Sequence, residues 1–162
     1  MTTHTLIRLR RARDTDLQSL RMIYADAVRA AGPTAYTPDQ VSVWSTFAGE
    51  VGFAAFILGV KTYLTVIDEQ VVGFCGIADD GHVASIYVRP DRFGKGIGSR
   101  LLLAALRRHP EPTSGRYRAE ASLFSLPLFE RCGFRQTGSE RAGRQGAAFE
   151  RFLVERAATE PA

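Results

Sequence analysis

One stretch restricts the possible folds of this chain more than any other. The apolar run Ile86-Tyr87-Val88 stops at Arg89-Pro90, and Gly94-Lys95-Gly96-Ile97-Gly98 then opens a segment, Ser99 to Arg108, with apolar residues at helical spacing. Ile97, Leu101 and Ala104 fall along one helical face, and Leu102, Leu103 and Leu106 widen it. A strand, a glycine loop and a helix start therefore follow one another. Glycines let a backbone approach a ligand closely, and the free amides of a helix start favour an anion. Together they predict a pyrophosphate cradle. Two familiar cradles do not fit. A Walker loop ends in Gly-Lys-Ser or Gly-Lys-Thr, whereas Lys95 is followed by Gly96. A dinucleotide fingerprint needs Gly-x-Gly-x-x-Gly early in a parallel βαβ unit. Here the spacing is Gly-x-Gly-x-Gly, and the segments before it read as an antiparallel meander.

That meander is read from the change of period after Lys61. Lys61–Ile67, Val71–Ala78 and His82–Val88 read as strands, joined at Asp68-Glu69-Gln70 and at Asp79-Asp80-Gly81, where glycine suits a tight hairpin. Connections this short make the three strands antiparallel. Upstream, Leu6–Leu9 reads as a strand. Thr15-Asp16-Leu17-Gln18 and Thr37-Pro38-Asp39-Gln40 both match a capping box, each opening a helix. The first helix carries Leu17, Leu20, Tyr24, Ala27 and Val28 and ends at Gly32-Pro33; the second carries Val41 and Trp44. Phe53–Leu58 fits a short helix or a strand equally. Downstream the expectations are a strand over Tyr117–Ser122, a short helix over Leu126–Arg131, strands over Phe134–Glu140 and Ala148–Val154, and a loose tail from Ala157 to Ala162. These elements predict one α+β domain over residues 1–162, with a mostly antiparallel sheet flanked by helices.

Composition narrows the function. With 162 residues, 45% of them apolar and 23% charged, the chain can bury a core without staples. Cys75 and Cys132 form neither a disulfide framework nor a zinc pattern. The longest apolar run, Val51–Val60, is about half the roughly 20 residues a membrane span needs. The N-terminal residues lack the apolar core of a signal peptide, which predicts a cytoplasmic protein. The formal charge is +4, and all basic residues except Lys61 and Lys95 are arginines, which suits an anionic ligand. The basic residues are interspersed with Asp and Glu, a pattern that argues against nucleic acid as a partner.

On these residues the chain resembles the GCN5-related N-acetyltransferase superfamily. Ile86-Tyr87-Val88-Arg89-Pro90 with Gly94 to Gly98 and Leu101-Leu102 is similar to its acetyl-CoA-binding motif. Phe129-Glu130-Arg131-Cys132-Gly133-Phe134 is similar to its second motif. Ala121-Ser122 through Pro127, with Tyr36, Gln40 and Trp44, resembles a bacterial branch acting on small molecules. The resemblance implies an acyl-CoA N-acyltransferase fold with a splayed sheet, acetyl-CoA as co-substrate and direct transfer to an amine. It also implies that Ile86 and Val88 pair with the pantetheine arm. The amide of Val88 would meet the developing oxyanion, and amides from Gly94 to Ser99 would hold the pyrophosphate. Arg92 and Lys95 would add charge, and Tyr87 and Ile97 complete the cofactor set. Three departures stand out. Phe93 occupies a place where Gln or Arg is usual, Phe129 the place of a proton-donating Tyr, and Ser122 a place where Asn is common.

Transfer to an amine needs a base, since exposed alkylamines are protonated at neutral pH. His82 is the first candidate and Glu120 the second, with Tyr87 as a proton donor. If strand alternation holds, His82, Ala84 and Ile86 share one face, and Val83, Ser85 and Tyr87 the other. No metal site is expected. The remaining alternatives are a non-catalytic CoA-binding sensor and an acetyltransferase of protein N-termini or lysines. The oligomeric state is left open, a homodimer included, and no membrane partner is expected.

Overall fold

The computed structural model describes residues 7–161. Four strands, β1 (Ile7–Arg11), β2 (Lys61–Ile67), β3 (Gln70–Ile77) and β4 (Val83–Val88), form an antiparallel sheet in chain order. Three more, β5 (Arg116–Ala121), β6 (Arg135–Arg144) and β7 (Ala147–Ala157), form a second antiparallel sheet with β7 in the middle. Leu6, at the head of the expected first strand, lies outside the described residues. The expected meander is present with its hairpins.

The helices cover both faces of the first sheet. On one side lie α1 (Leu17–Ala31), α2 (Pro38–Thr46) and α3 (Gly52–Leu58), which resolves Phe53–Leu58 as helix. Their apolar stripe, including Leu20, Tyr24, Val28, Phe53 and Ile57, packs on Leu64, Val66 and Phe74. On the other side α4 (Ile97–Arg108) and α5 (Leu126–Arg131) pack with Tyr63, Cys75, Ile77 and Val83, and with Tyr117, Ala119, Ala121 and Val154 of the second sheet. This second core spans both sheets and ties them together.

Local signals decide the helix starts unequally. At Thr37 the capping box forms in full: Thr37 Oγ1 accepts from the Gln40 amide at 3.2 Å, and Gln40 Oε1 accepts from the Thr37 amide at 2.9 Å. At Thr15 it does not. The Asp16 carboxylate instead ties the helix start back to the preceding turn and strand, accepting from the Arg13 amide and from both terminal nitrogens of Arg10, each at 2.8 Å. A bidentate, charge-assisted bond outweighs a neutral hydroxyl cap.

Two further expectations change. Along β4, Gly76 faces Ser85 while Ile77 faces Val83, so Ala84 is an extra residue. Such a bulge shifts the alternation by one. Val83 and Ile86 consequently share the α4 side, and Tyr87 lies on the α1 side. The expected grouping of Val83 with Tyr87 therefore fails. The C-terminal residues also differ from a loose tail. The Ala158 amide donates to Gly115 at 2.9 Å, and Arg156 Nη2 donates to the carbonyls of Glu160 and Pro161.

The two sheets meet at one point. His82 and Arg118 form an isolated parallel bridge, and the Arg118 amide donates to Gly81 at 3.0 Å. Gly81 has φ +95°, and a Cβ there would stand 2.0 Å from the Arg116 carbonyl. Only glycine lets the strands approach so closely. Beyond this junction β4 and β5 diverge, leaving the edge of β4 open.

Candidate active site

A cleft of about 560 Å³ occupies the opening between β4 and β5. The backbone of β4 explains why it is suited to a ligand. The Arg89 amide is spent on Val72 at 2.8 Å, so alternation turns the polar groups of Ile86 and Val88 toward the free edge. Both residues line the cleft, as does Tyr87.

The glycine loop closes one end. Arg92, Phe93, Gly94, Gly96, Ile97, Gly98 and Ser99 all line the cleft, whereas Lys95 is exposed and does not. Gly96 is the N-cap of α4 with φ +76°, and no side chain caps that helix start. The first turn of α4 carries no acidic residue, so nothing competes with an incoming anion. A Cβ at Gly94 or Gly96 would meet no atom of the chain within 4 Å. Internal packing therefore does not require these glycines; the left-handed backbone and an open approach do. Gly98 differs, because a Cβ there would lie 2.5 Å from Leu128 Cδ1. It is a contact point between α4 and α5.

The wall opposite comes from β5 and the turn after it. Ser122 and Phe129 both line the cleft. Ser122 Oγ accepts from the Ser125 amide at 3.0 Å and bonds the Ser125 hydroxyl, so this hydroxyl already shapes the turn into α5. Phe129 is only 2% exposed and packs edge-on against Phe134. Phe93 pairs with Phe124 at 5.4 Å between ring centroids, an aromatic contact at the cleft wall. Arg131 and Phe124 are lining residues that sequence reasoning missed. Neither carries a local signature, and the fold alone brings them there.

At the closed end the two candidate bases come together. His82 Nε2 and Glu120 Oε2 are 2.6 Å apart. Glu120 lines the cleft and His82 stands behind it. The His82 hydrogen bond holds the Glu120 carboxyl below the usual carboxylate range, against burial, which pushes it up. Tyr87 is stacked on Phe74 and tilted against Tyr24, and its hydroxyl accepts from Trp44 Nε1 at 3.3 Å. Burial raises the Tyr87 phenol, so it keeps its proton at neutral pH.

The aromatic residues upstream divide. Trp44 lines the cleft, while Phe47 and Phe53 belong to the core. Tyr36 braces the wall, its hydroxyl accepting from the Leu123 amide at 3.0 Å. The β6–β7 hairpin folds over this side. Gln40 Nε2 donates to Ala148, Arg144 pairs with Glu50 at 2.7 Å, and Phe149 packs on Tyr36. Cys75 and Cys132 are buried, and burial pushes both thiols up, so neither is a ready nucleophile.

Splayed strands with a glycine loop at one end of the opening and an acid–base pair at the other define a protein built to hold an activated acyl carrier beside an acceptor. The sequence identifies the group. A family model described as an acetyltransferase (GNAT) domain matches residues 33–150, and the chain belongs to that family and is an N-acetyltransferase. It is 27% identical over 148 residues to the uncharacterized N-acetyltransferase YafP of Escherichia coli K12, covering 91% of this chain and 94% of that protein. Its fold is similar to a GCN5-related N-acetyltransferase from Rhodopseudomonas palustris, with TM-score 0.85 and 20% identity over 93% of this chain and 94% of the other. It is also similar to the PaiA N-acetyltransferase from Thermoplasma acidophilum, solved in complex with coenzyme A, with TM-score 0.72 and 16% identity over 94% and 99%. Among the described residues no single helix is long and apolar enough to cross a membrane.

Proposed function

We propose that the chain transfers an acetyl group from acetyl-CoA directly to the amine of a small molecule, with both substrates bound at once. The observation that carries this reading is the cleft itself. One end offers uncapped helix amides and an open glycine loop, and the other a cleft-facing carboxylate hydrogen-bonded to an imidazole. The residues fit an acyl-CoA. The free edge of β4 at Ile86 and Val88 can pair with the amides of the pantetheine arm as an added strand would. The amides of Gly94 to Ser99, with Arg92 and Arg131 beside them, suit the pyrophosphate.

When bound, acetyl-CoA supplies the acyl group as a thioester. The chain then has three tasks. The amide of Val88, turned to the free edge, stabilises charge developing on the carbonyl oxygen. Glu120 receives the acceptor's ammonium, holds it by charge and takes its proton as the nitrogen becomes nucleophilic. His82 fixes the Glu120 carboxylate through the Nε2–Oε2 bond, so it is a positioning residue. Tyr87 lines the cleft and is still protonated at neutral pH, so its phenol can give a proton to the departing sulfur. Phe129 has no proton to give. The test is release of CoA thiol from acetyl-CoA by the whole protein in the presence of a panel of amines. Amine-dependent thiol release with one acetylated amine per thiol supports the reading. CoA binding with no transfer to any amine overturns it.

A further inference from the structure

The lining of the cleft has a composition that selects its ligand. Its α1-side wall is made by Ala27, Val28, Ala31 and Ala35, together with Trp44. The polar groups of this wall are already engaged. Thr34 Oγ1 donates to Ala31 at 2.6 Å, and Trp44 Nε1 donates to Tyr87. The charged residues lining the entire cleft are Arg92, Arg131 and Glu120. The single carboxylate among them is Glu120, and one of its oxygens is held by His82. The cleft therefore provides one counter-charge and, on its α1 side, apolar surface.

We infer that the acceptor is a monoamine carrying one positive charge on an uncharged, apolar body, and that polyamines and aminoglycosides are rejected. The inference rests on the proposed reaction and specifies its substrate class. A second ammonium in this pocket would be desolvated without a carboxylate partner, and the several hydroxyls of a sugar would lose their hydrogen bonds to water with few in return. Each such unpaired group costs roughly tenfold to hundredfold in binding. An apolar body gains instead, by covering the alanine wall and the Trp44 ring.

Trp44 makes the test direct, because it is the only tryptophan in the chain and it lines this pocket. The whole protein, saturated with CoA, is titrated with 2-phenylethylamine, spermidine, kanamycin and an alanine-terminated peptide while Trp44 fluorescence is read. Acetylation of each is measured separately with acetyl-CoA. The expected result is a saturable fluorescence change with 2-phenylethylamine at concentrations at least tenfold below any response to spermidine or kanamycin. The same preference is expected in kcat/KM. Ala31→Glu, which adds a second carboxylate to the wall, should move the preference toward spermidine by tenfold or more. Fluorescence reports the acceptor class even if no acetyl group moves, so a selective response without turnover contradicts the proposed reaction and leaves this inference standing. Equal or better binding of spermidine, kanamycin or the peptide, or no response to 2-phenylethylamine, overturns it.

Discussion

Gly81 holds the two sheets together at the closed end of the cleft, and replacing it with alanine has a cost that can be worked from the structure. Its φ of +95° is strained for any residue with a Cβ, at about 1–2 kcal/mol. The new Cβ would stand 2.0 Å from the Arg116 carbonyl oxygen, a backbone atom, so the junction of β4 and β5 must open. Opening it weakens the 3.0 Å bond from the Arg118 amide to Gly81, worth about 1 kcal/mol. The sum is about 2–3 kcal/mol, and at roughly 2–4 °C per kcal/mol for a chain of this size Tm should fall by about 4–12 °C. Gly94→Ala is the control, because it has a similar left-handed φ of +74° and open space around it. It should show the backbone strain without the clash. Scanning calorimetry of the three proteins measures both effects. Because His82 and Glu120 bridge the same junction, Gly81→Ala should also lower turnover below the temperature at which it unfolds. A Tm for Gly81→Ala within 2 °C of that for Gly94→Ala would show that the close approach of β5 does not govern this position.

Three more outcomes are expected. Gly96→Val should weaken CoA binding by tenfold or more in calorimetry while costing about 1–3 kcal/mol of stability, because a β-branched residue at φ +76° must distort the helix start; unchanged affinity would remove the glycine loop from the binding site. His109 is buried between Tyr63 Oη at 3.1 Å and the Ala78 carbonyl at 3.2 Å, and burial lowers its pKa. Its contribution to stability is therefore complete above the unfolded value of about 6.5 and is lost as pH falls below it, and His109→Gln should flatten that part of the Tm–pH curve. Gly98→Ala should destabilise by wedging Leu128 away from α4, and the further change Leu128→Ala should recover part of the loss by making room; double-mutant coupling near zero would contradict the contact.

Much of the fold was legible because its signals are local. The Thr37 capping box, the Asp80-Gly81 turn and the Gly94–Gly98 loop each act within a few residues, and the structure places them as read. What was not legible depends on distant partners. The expected cap at Thr15 does not form, and the neighbouring Asp16 is held by Arg10 of β1 instead. The bulge at Ala84 arises from pairing with Gly76 and Ile77, and no residue in β4 announces it. His109, beside Pro110, carries no local signal yet bridges β2 and the β3 end. The tail is fixed by Arg156, whose role needs β7 in place. The site shows the same division. The glycine loop could be read from spacing, whereas the approach of His82 to Glu120, 38 positions apart in sequence, exists only after the two sheets meet.

The Glu120–His82 pair carries the proposed proton transfer. The decisive measurement is the initial rate of CoA thiol release at saturating acetyl-CoA and amine for Glu120→Gln, compared with His82→Gln and the parent protein. Glu120 faces the cleft and takes the proton, so Glu120→Gln should fall by about 10²–10⁴-fold, the usual worth of general acid–base catalysis. His82→Gln retains a hydrogen-bonding side chain behind the carboxylate and should fall by less, with a changed pH profile. A Glu120→Gln rate within a few fold of the parent, with CoA affinity intact, would contradict the assignment of the acceptor's proton to this carboxylate.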